Sequence, residues 1–412
     1  MSERTTRRVL LKQAAALGAA LAFGRGCAHA PAGVRTERRD LYPQGVASGD
    51  PAPDSVILWT RRAPDAGASA HRLMVEVASD ETFAHIVARG DVEVSAATDW
   101  TCRFLAAGLR PAREYWYRFV DEAGNMSRVG RTVTAPAASD DRPVRFAFVS
   151  CQDVTIGALN AYRRMIYEDV RRPRAEQLGF VLHLGDFIYE LVKYPEDAQN
   201  GRDRGRRLRD VVRYPHGKKV RNFHFPIDLD DYRTAYRGYL TDPDLQDARA
   251  RWPFVPVWDN HEFSWRGYQS MSQIFNDPPE PAQALKVAAS QAWYEYQPAR
   301  VIKQGAGDAF EAPAVTNTPL GEVDARGVSH EPNNITAIHA LRIERAFRFG
   351  KNVEMILTDN RSYMSAPIDA SNLSVPDFGF TPEIANDVLE AGREYNGGSP
   401  PATIRLGETE IP

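Results

Sequence analysis

The sequence of 412 residues contains only three cysteines, Cys27, Cys102 and Cys151. Disulfide-stapled secreted scaffolds are far richer in cysteine, so this class of protein is excluded. Lysines and arginines number 51, against 54 aspartates and glutamates, and so balanced a charge gives no indication of a nucleic-acid partner. With 43% hydrophobic and 25% charged residues, the composition is that of a soluble globular protein, and the length suits two domains with a full core.

The chain also lacks an apolar run long enough for a permanent membrane span, which needs about 20 residues. The apolar stretch over residues 13–23 follows Thr6-Arg7-Arg8-Val9-Leu10-Leu11-Lys12, a pattern typical of a twin-arginine export signal. Ala28-His29-Ala30 supplies a small-x-small cleavage site. We therefore expect residues 1–30 to be a signal peptide that the twin-arginine translocase reads, and the protein to be periplasmic or extracellular. Cys27 leaves lipoprotein anchoring open as an alternative.

Residues 40–137 consist of short alternating runs separated by turn residues. The strands that these runs predict are residues 55–60, 71–78, 101–106 and 113–120. Strands at this spacing over about 100 residues are typical of a small immunoglobulin-like β-sandwich. The sequence thus predicts an all-β domain over residues 31–137, in which Cys102 is a buried strand residue.

From residue 143 the pattern changes to apolar strands that alternate with helices, which indicates a layered α/β domain over residues 143–412. Four helices are predicted. The first is residues 160–171, the second is capped by Asp230 or its neighbour, the third begins at Asp244, and the fourth is residues 281–296. Residues 304–334 are rich in Gly, Pro, Asn and Asp and predict a long irregular loop. Residues 342–349 and 352–358 predict an antiparallel strand pair.

Three apolar runs of this second domain each end in residues that can bind a metal. The first leads into Cys151, the second into Gly185-Asp186 with Tyr189 three residues on, and the third into Asp259-Asn260-His261-Glu262. Ligands of open α/β sheets sit outside the carboxyl ends of the strands, and sulfur, oxygen and nitrogen donors gathered there make a metal site. A single Gly-Asp pair is usually an ordinary turn, but the three runs together predict a metal centre. Cys151 is then a thiolate ligand, although a disulfide with Cys102 stays open in an oxidising compartment.

The same motifs resemble a known family. Gly185-Asp186-x-x-Tyr189 followed by Asn260-His261-Glu262 is similar to the metallophosphoesterase superfamily, which includes the purple acid phosphatases. The cysteine after the first strand and the later Trp-Asp-Asn-His-Glu resemble the alkaline phosphatase D (PhoD-like) family. Other stretches similar to that family are residues 44–51, 55–61, 228–246 and 357–361. The resemblance implies that the β-sandwich is followed by a calcineurin-like α/β metallophosphoesterase domain.

The resemblance also implies a reaction and its cofactors. It implies hydrolysis of small phosphate mono- or diesters by a hydroxide nucleophile at a two-metal site. Cys151, Asp186 and Tyr189 would bind a ferric iron. Asp186 and Asn260 would bind a second, divalent metal, for which calcium is expected because it prefers oxygen ligands. The family commonly has aspartate where this chain has Asn260, so the identity of the second metal stays open.

His261, Asp259 and Arg361 are the catalytic candidates that follow from the resemblance. His261 would protonate the leaving alkoxide or stabilise the phosphoryl oxygens. The alternative interpretation is a structural histidine that Glu262 hydrogen-bonds. Asp259 is expected to support a metal ligand, and Arg361 to lie at the rim of the pocket with Asp359.

The chain is poor in histidine beyond the third run. After His261 only His330 and His339 remain, in no Gly-x-His-x-His motif of the kind that completes the site in the superfamily. We therefore expect a C-terminally truncated metallophosphoesterase domain that is poorly soluble, binds metal weakly and has little activity. A non-catalytic phosphate- or carbohydrate-binding surface protein on the same two domains is the alternative function.

One segment is strongly basic. Residues 201–221 contain nine lysines and arginines against Asp203 and Asp210. The segment is either a solvated loop or a rim that attracts phosphorylated substrate toward the site.

Overall fold

The computed structural model describes most of the chain. The described residues are 35–198, 208–275, 277–366 and the backbone of two short strands, 404–406 and 409–411. The predicted signal peptide, Cys27 and basic residues 202–207 lie outside them. Among the helices of these ranges, none combines the length and the apolar character that crossing a bilayer requires.

The described strands are short and numerous. In chain order they are β1 (Thr36–Glu37), β2 (Val46–Gly49), β3 (Ser55–Arg61), β4 (Ala70–Ala78), β5 (Ile86–Ser95), β6 (Thr101–Ala107), β7 (Glu114–Asp121), β8 (Asn125–Met126), β9 (Gly130–Val133), β10 (Phe146–Val149), β11 (Phe180–His183), β12 (Lys218–Val220), β13 (Phe223–Phe225), β14 (Pro253–Pro256), β15 (Met271–Ser272), β16 (Glu280–Pro281), β17 (Ile302–Lys303), β18 (Leu341–Arg342), β19 (Arg345–Phe349), β20 (Val353–Leu357), β21 (Ile404–Leu406) and β22 (Thr409–Ile411). The described α-helices are α1 (Asn160–Asp169), α2 (Leu229–Tyr239), α3 (Pro243–Arg251), α4 (Gln283–Tyr296) and α5 (Pro332–Ile338).

Two sheets pack face to face in the N-terminal part. The first has the order β1-β8-β7-β4-β5 with β9 on β7, and the second includes β2, β3 and β6. Val75 and Phe119 of the first sheet and Leu58 of the second are fully buried members of one hydrophobic cluster. The four strands predicted for residues 55–120 are confirmed, and Cys102 is a buried, free thiol on β6, as expected.

The second sheet extends across the predicted domain boundary. Its order is β10-β11-β14-β2-β3-β6, so strands of the α/β part continue into strands of the N-terminal part. β14 pairs in parallel with β2, with Phe254 opposite Gly49. A side chain at Gly49 would clash with the carbonyl oxygen of Pro298, so this close approach requires glycine. The two predicted domains therefore share one sheet.

Helices cover one face of this shared sheet. Tyr236 of α2 and Tyr296 of α4 are fully buried, and their rings stack with centroids 5.2 Å apart. Trp59 of β3 packs in the same cluster and donates its indole N–H to the carbonyl oxygen of Glu295 at 2.7 Å. Because this cluster contains residues of β2 and β3 as well as of β11 and β14, the large aromatic core fixes the two parts to each other.

The helix predictions are confirmed, but two caps lie elsewhere. α2 is capped by Asp228, whose carboxylate accepts from the N–H of Asp231 at 3.0 Å, and not by Asp230. α3 is capped by Asp242, two residues before Asp244. Pro243 takes the first helical position there, where its missing N–H costs nothing.

A hairpin of β19 and β20 covers part of the opposite face. The predicted strand pair is confirmed, with Arg345 opposite Leu357 in antiparallel register. Phe349 and Leu357 pack on Phe180 and Val255 of the sheet. Between β17 and α5 lies the long irregular connection expected for residues 304–334, although α5 already begins at residue 332.

Candidate metal centre

β10, β11 and β14 are adjacent and parallel, so the loops that follow them meet at one edge of the sheet. Cys151 and Asp186, in the first two of these loops, both have left-handed backbone conformations, with φ of 55° and 53°. Residues other than glycine rarely adopt this region, and those that do are concentrated at functional sites. The Cys151 N–H donates to the carbonyl oxygen of Gly185 at 3.3 Å, which holds the two loops side by side.

Three of the four predicted metal ligands converge on one oxygen atom. Cys151 Sγ lies 3.4 Å from Asp186 Oδ2, and the Tyr189 hydroxyl lies 3.5 Å from the same atom. Asp186 is 5% exposed, Tyr189 is half-buried and Cys151 is exposed. A thiol, a phenol and a carboxylate therefore share one position that solvent reaches from the side of the cysteine.

Burial and mutual repulsion disfavour the ionised forms of these three groups. Burial raises the pKa of Cys151, Asp186 and Tyr189. The negative charge of Asp186 raises the pKa of Cys151 and Tyr189 further, and that of Asp259 raises the pKa of Asp186. A cation at their meeting point would favour the ionised form of all three. One soft thiolate with hard oxygen donors is a chemically suitable ligand set for a transition metal, so the residues fit the expected group.

Glu262 holds the loops together. This carboxylate is 2% exposed and accepts from the backbone N–H groups of Asp186, Phe187 and Asp259 at 3.0, 2.6 and 2.7 Å. Burial and the charge of Asp186 raise the pKa of Glu262 to about 8, whereas the three N–H donors favour its ionised form. The loops also touch at Gly185, because a side chain there would clash with the backbone of Asp259. Glu262 therefore sets the spacing between the second and third loops.

The partner of His261 is Glu190, which corrects the alternative that Glu262 would bind it. His261 Nδ1 lies 2.6 Å from Glu190 Oε2, and both side chains are buried. Burial alone would lower the pKa of His261, but the carboxylate of Glu190, followed by that of Asp186, raises it to about 9. The imidazole ring stacks on Tyr189 with centroids 4.1 Å apart. His261 is thus held directly beside the predicted ligands by Glu190, whose carboxylate favours the protonated imidazole.

Asn260, the fourth predicted ligand, shares no hydrogen bond with the other three. Its Oδ1 accepts from Arg361 Nη2 at 3.2 Å, and its amide N–H donates to the carbonyl of Trp265. The carboxylate of Asp259 accepts from Arg361 Nε at 2.6 Å and from Asn360 at 2.9 Å. Arg361 is therefore bound to Asp259 and Asn260 of the third loop, and it lies at the rim of the site with a partly exposed side chain.

Sequence reasoning gave Glu190 no role and considered Glu262 only as a partner of His261. Both lie inside the motif stretches, directly after Tyr189 and His261. A carboxylate within a run of residues that is otherwise buried needs a hydrogen-bond or ionic partner. The position of Glu190 and Glu262 in such runs was the sequence signal that both have a structural or functional role. What the sequence could not show is which partner each carboxylate would find.

Three further histidines, His183, His330 and His339, make no hydrogen bond to the predicted ligands. His183 is fully buried in β11, as expected, and burial lowers its pKa to about 3. His330 is exposed beside Asp324, and the ring of His339 neighbours Tyr363. Neither contacts the predicted ligands, so the structure does not use them to complete the site.

A second group of possible ligands is structural. The ligand atoms of His216, Asp228 and Asp231 lie within 4.8 Å of one another. Asp228 caps α2, and Asp231 accepts from the N–H groups of His216 and Ile227 at 3.0 and 2.9 Å. These bonds account for the cluster, which contains none of the predicted ligands.

In the basic segment, most of the described side chains are paired with carboxylates. Arg213 binds Asp210 and Glu196. The other described pairs are Arg209 with Asp242, Lys219 with Asp197, and Arg221 with Asp277. These pairs favour a role in holding the loop in place, and the proposed attraction of anionic substrate stays a prediction.

Comparison with known proteins identifies the family. A family model described as PhoD-like phosphatase matches residues 146–394, and one described as PhoD-like phosphatase, N-terminal domain, matches residues 26–136. Alkaline phosphatase D of Bacillus subtilis (strain 168) is 35% identical over 273 residues, which cover 63% of this chain and 42% of the relative.

Among solved structures, one titled "Structure of PhoD" matches with a TM-score of 0.56 and 29% identity over 81% of this chain and 54% of that one. A purple acid phosphatase PPD1 from yellow lupin (Lupinus luteus) seeds reaches a TM-score of 0.33 at 14% identity, covering 55% of this chain and 36% of that one, a likeness too low to support an argument. The chain thus spans about half the length of the relatives that it matches, 42% and 54% for the first two. By its sequence and its fold, this chain belongs to the PhoD-like phosphatase family.

Proposed function

We propose that the protein is a metal-dependent hydrolase of phosphoric esters that acts on phosphomonoesters and phosphodiesters, like the alkaline phosphatase D that it resembles. The observation that carries this proposal is the convergence of Cys151 Sγ and the Tyr189 hydroxyl on Asp186 Oδ2 at the edge of the sheet. Strained backbone at two of these three donors supports it, because such strain is kept where a function requires it.

The proposed cofactors are a ferric iron and a divalent metal, with calcium as the expected ion. Cys151, Asp186 and Tyr189 would hold the iron, and Asp186 with Asn260 the second cation. When bound, two such cations neutralise the charge of the phosphoryl group and lower the pKa of water. For Asn260 to take part, its Oδ1 would have to exchange its present bond to Arg361 for the cation.

His261 is the proposed general acid. Because Glu190 occupies Nδ1, the ring proton available to a substrate is the one on Nε2. A pKa raised to about 9 keeps that proton in place at neutral pH, so it can pass to the oxygen of the leaving alcohol. Glu190 is the positioning residue, since it sets both the orientation and the protonation of the imidazole.

Arg361 is proposed to bind the phosphoryl oxygens. Its guanidinium is held by Asp259 and Asn260, and part of it stays exposed at the mouth of the site. A planar, pre-oriented guanidinium matches the geometry of phosphate oxygens. Asp259 then acts through Arg361, by keeping its side chain at the rim.

The decisive experiment measures metal content and turnover on the same preparation. We expect iron bound to the protein, hydrolysis of bis(4-nitrophenyl) phosphate and 4-nitrophenyl phosphate, and a visible tyrosinate-to-iron absorption band. Tyr189→Phe should lose the band, while the matched control Tyr167→Phe, at an exposed tyrosine of α1, should keep it. Metal and phosphate binding without turnover would instead identify the alternative, a phosphate-binding protein on the same fold.

We also propose that the N-terminal two-sheet domain is immunoglobulin-like. A separate proposal is that the protein is exported through the twin-arginine translocase to the periplasm or the cell exterior. The support for export is the Arg7-Arg8 motif before an apolar stretch. Fusion of residues 1–40 to a reporter should export it, and replacing both arginines by lysine should stop that export. A reporter that stays inside the cell with the intact motif would contradict the proposal.

A further inference from the structure

A cavity of about 880 Å³ lies at the end of the sheet opposite to the metal centre. Residues 142–145, directly before β10, and residues 177–180, which lead into β11, form one side of it. β7, β9 and the turn at residues 110–113 form the other side. The cavity is therefore bounded by both domains and lies at the amino ends of the strands whose carboxyl ends carry the predicted ligands.

The side chains around this cavity are strongly cationic. The arginines in its wall are Arg110, Arg113, Arg131, Arg142, Arg145 and Arg174. Among its lining residues the acidic one is Glu114, which pairs with both Arg131 and Arg174. Asp140 pairs with Arg142 from outside the wall. The wall thus contains six guanidinium groups and one carboxylate, with Asp140 paired to Arg142 from outside it.

The concentration of arginines distinguishes the cavity. Several exposed arginines elsewhere pair with carboxylates, as Arg72 does with Asp91 and Arg163 with Asp244. By contrast, Arg110 and Arg113 have no hydrogen-bonded or ionic side-chain partner in the described part of the chain. Surface arginines that are only solvated have no reason to gather in one concave site.

Two further arginines of the wall donate to backbone carbonyl groups, and one of them, Arg131, also pairs with Glu114. Arg145 Nη1 donates to the carbonyl of Ala175 at 3.2 Å, and Arg131 Nη1 to the carbonyl of Arg251 at 2.9 Å. Burial and the nearby charge of Arg251 lower the pKa of Arg131 to about 10. An anion in the cavity would relieve this repulsion.

We propose that this arginine cavity binds an oligophosphate-type anion, a chain of several phosphate groups, at a site separate from the metal centre. Guanidinium groups bind phosphate oxygens in pairs, and groups spread over several walls match charges repeated along a chain better than one compact anion. The volume is also within the range of about 300–1,000 Å³ that is usual for ligand sites. The proposal does not depend on catalysis, because none of these residues belongs to the metal centre.

The test uses inorganic tripolyphosphate as the probe and isothermal titration calorimetry of the full chain in about 0.15 M salt, where weak surface attraction is screened. Wild type and Asp186→Asn should bind it equally, because Asp186 is at the other end of the sheet. The double variant Arg110→Gln/Arg113→Gln should bind at least ten-fold more weakly. Both positions are exposed, so the variant is expected to fold, which thermal unfolding will verify.

Two further variants and one competitor make the result specific. Glu114→Gln removes the acidic group of the cavity and should tighten binding at least two-fold. Arg72→Gln, an exposed arginine of β4, is the matched control and should change affinity by less than two-fold. Equal binding by the double variant, an equal loss in the Arg72 control, loss of binding in Asp186→Asn alone, or citrate binding as tightly as tripolyphosphate would each overturn the proposal.

Discussion

The two ends of the same three parallel strands have opposite chemical characters. At the carboxyl ends, Asp186, Glu190 and Glu262 are nearly completely buried, and the last two are bound by His261 or by backbone N–H groups. At the amino ends, arginines surround an open cavity and several lack a counter-charge. The three strands contain no Asp, Glu, Lys or Arg, so the loops decide the charge of each end. The buried carboxylates at the carboxyl ends are therefore held in place by the packed loops, whereas several arginines at the amino ends are exposed to solvent.

The largest effect is expected from replacing Asp186, because its carboxylate is the proposed ligand that both cations share at the carboxyl ends of the strands. Asp186→Asn should remove iron and lower kcat for bis(4-nitrophenyl) phosphate at least about 1,000-fold, because both proposed cations depend on this side chain. Metal analysis and steady-state kinetics measure the two changes. The control is Asp141→Asn, at an exposed aspartate near the arginine cavity, which should leave both unchanged. A fully loaded, active Asp186→Asn protein would refute the assignment.

Glu262→Gln should reduce both stability and activity. An amide cannot accept from all three N–H groups, so unfolding should become easier by about 1–3 kcal/mol. Because the second and third loops lose their common anchor, activity should fall about 10- to 100-fold.

Glu76 provides the matched control for that variant. It is equally buried, in the N-terminal sheet, and its partners are Arg35, Arg89 and Arg118. Glu76→Gln should lower stability in urea unfolding, while the folded protein keeps its kcat and metal content. If both variants lost activity to the same extent, Glu262 would have no special role at the carboxyl end.

His183, at the end of β11, makes a prediction about acid stability. Burial lowers its pKa to about 3 from 6.5 in the unfolded chain, so the unfolded state binds the proton more readily. The stability that the neutral His183 side chain provides is fully present above pH 6.5 and is lost as the pH falls toward 3. In His183→Asn, unfolding free energy should therefore decline less steeply between pH 6 and 4, by about 1 kcal/mol per pH unit. Urea unfolding at several pH values measures these slopes, and identical slopes would contradict the prediction.

The smallest effect is expected at the amino ends. Arg113→Gln should change kcat/KM for bis(4-nitrophenyl) phosphate by less than about two-fold, since an exposed charge far from the reaction has little influence in physiological salt. Steady-state kinetics on the variant and on Arg361→Gln, at the opposite end, should separate the two regions clearly. A large loss in Arg113→Gln would show that the two ends are coupled.

Much of the architecture could be predicted locally. The strands between residues 55 and 121, the helix that begins at Asn160 and the β19–β20 hairpin follow from alternation and turn residues. The caps of α2 and α3 were misplaced by about two residues because several aspartates lie within one turn of each helix start, and only the backbone geometry selects among them.

By itself, the sequence determined which donors stand at the ends of the strands, because apolar runs and the residues that end them are local patterns. Cys151, Asp186 and Tyr189 could be named for that reason, and so could the family. Only the tertiary structure decided that β2 joins β14, that Glu190 rather than Glu262 binds His261, and that arginines from four separate stretches surround one cavity. Glu190 and His261 are 71 positions apart in the sequence, and the paired residues Gly49 of β2 and Phe254 of β14 are 205 apart. Contacts at such separations depend on how whole elements pack.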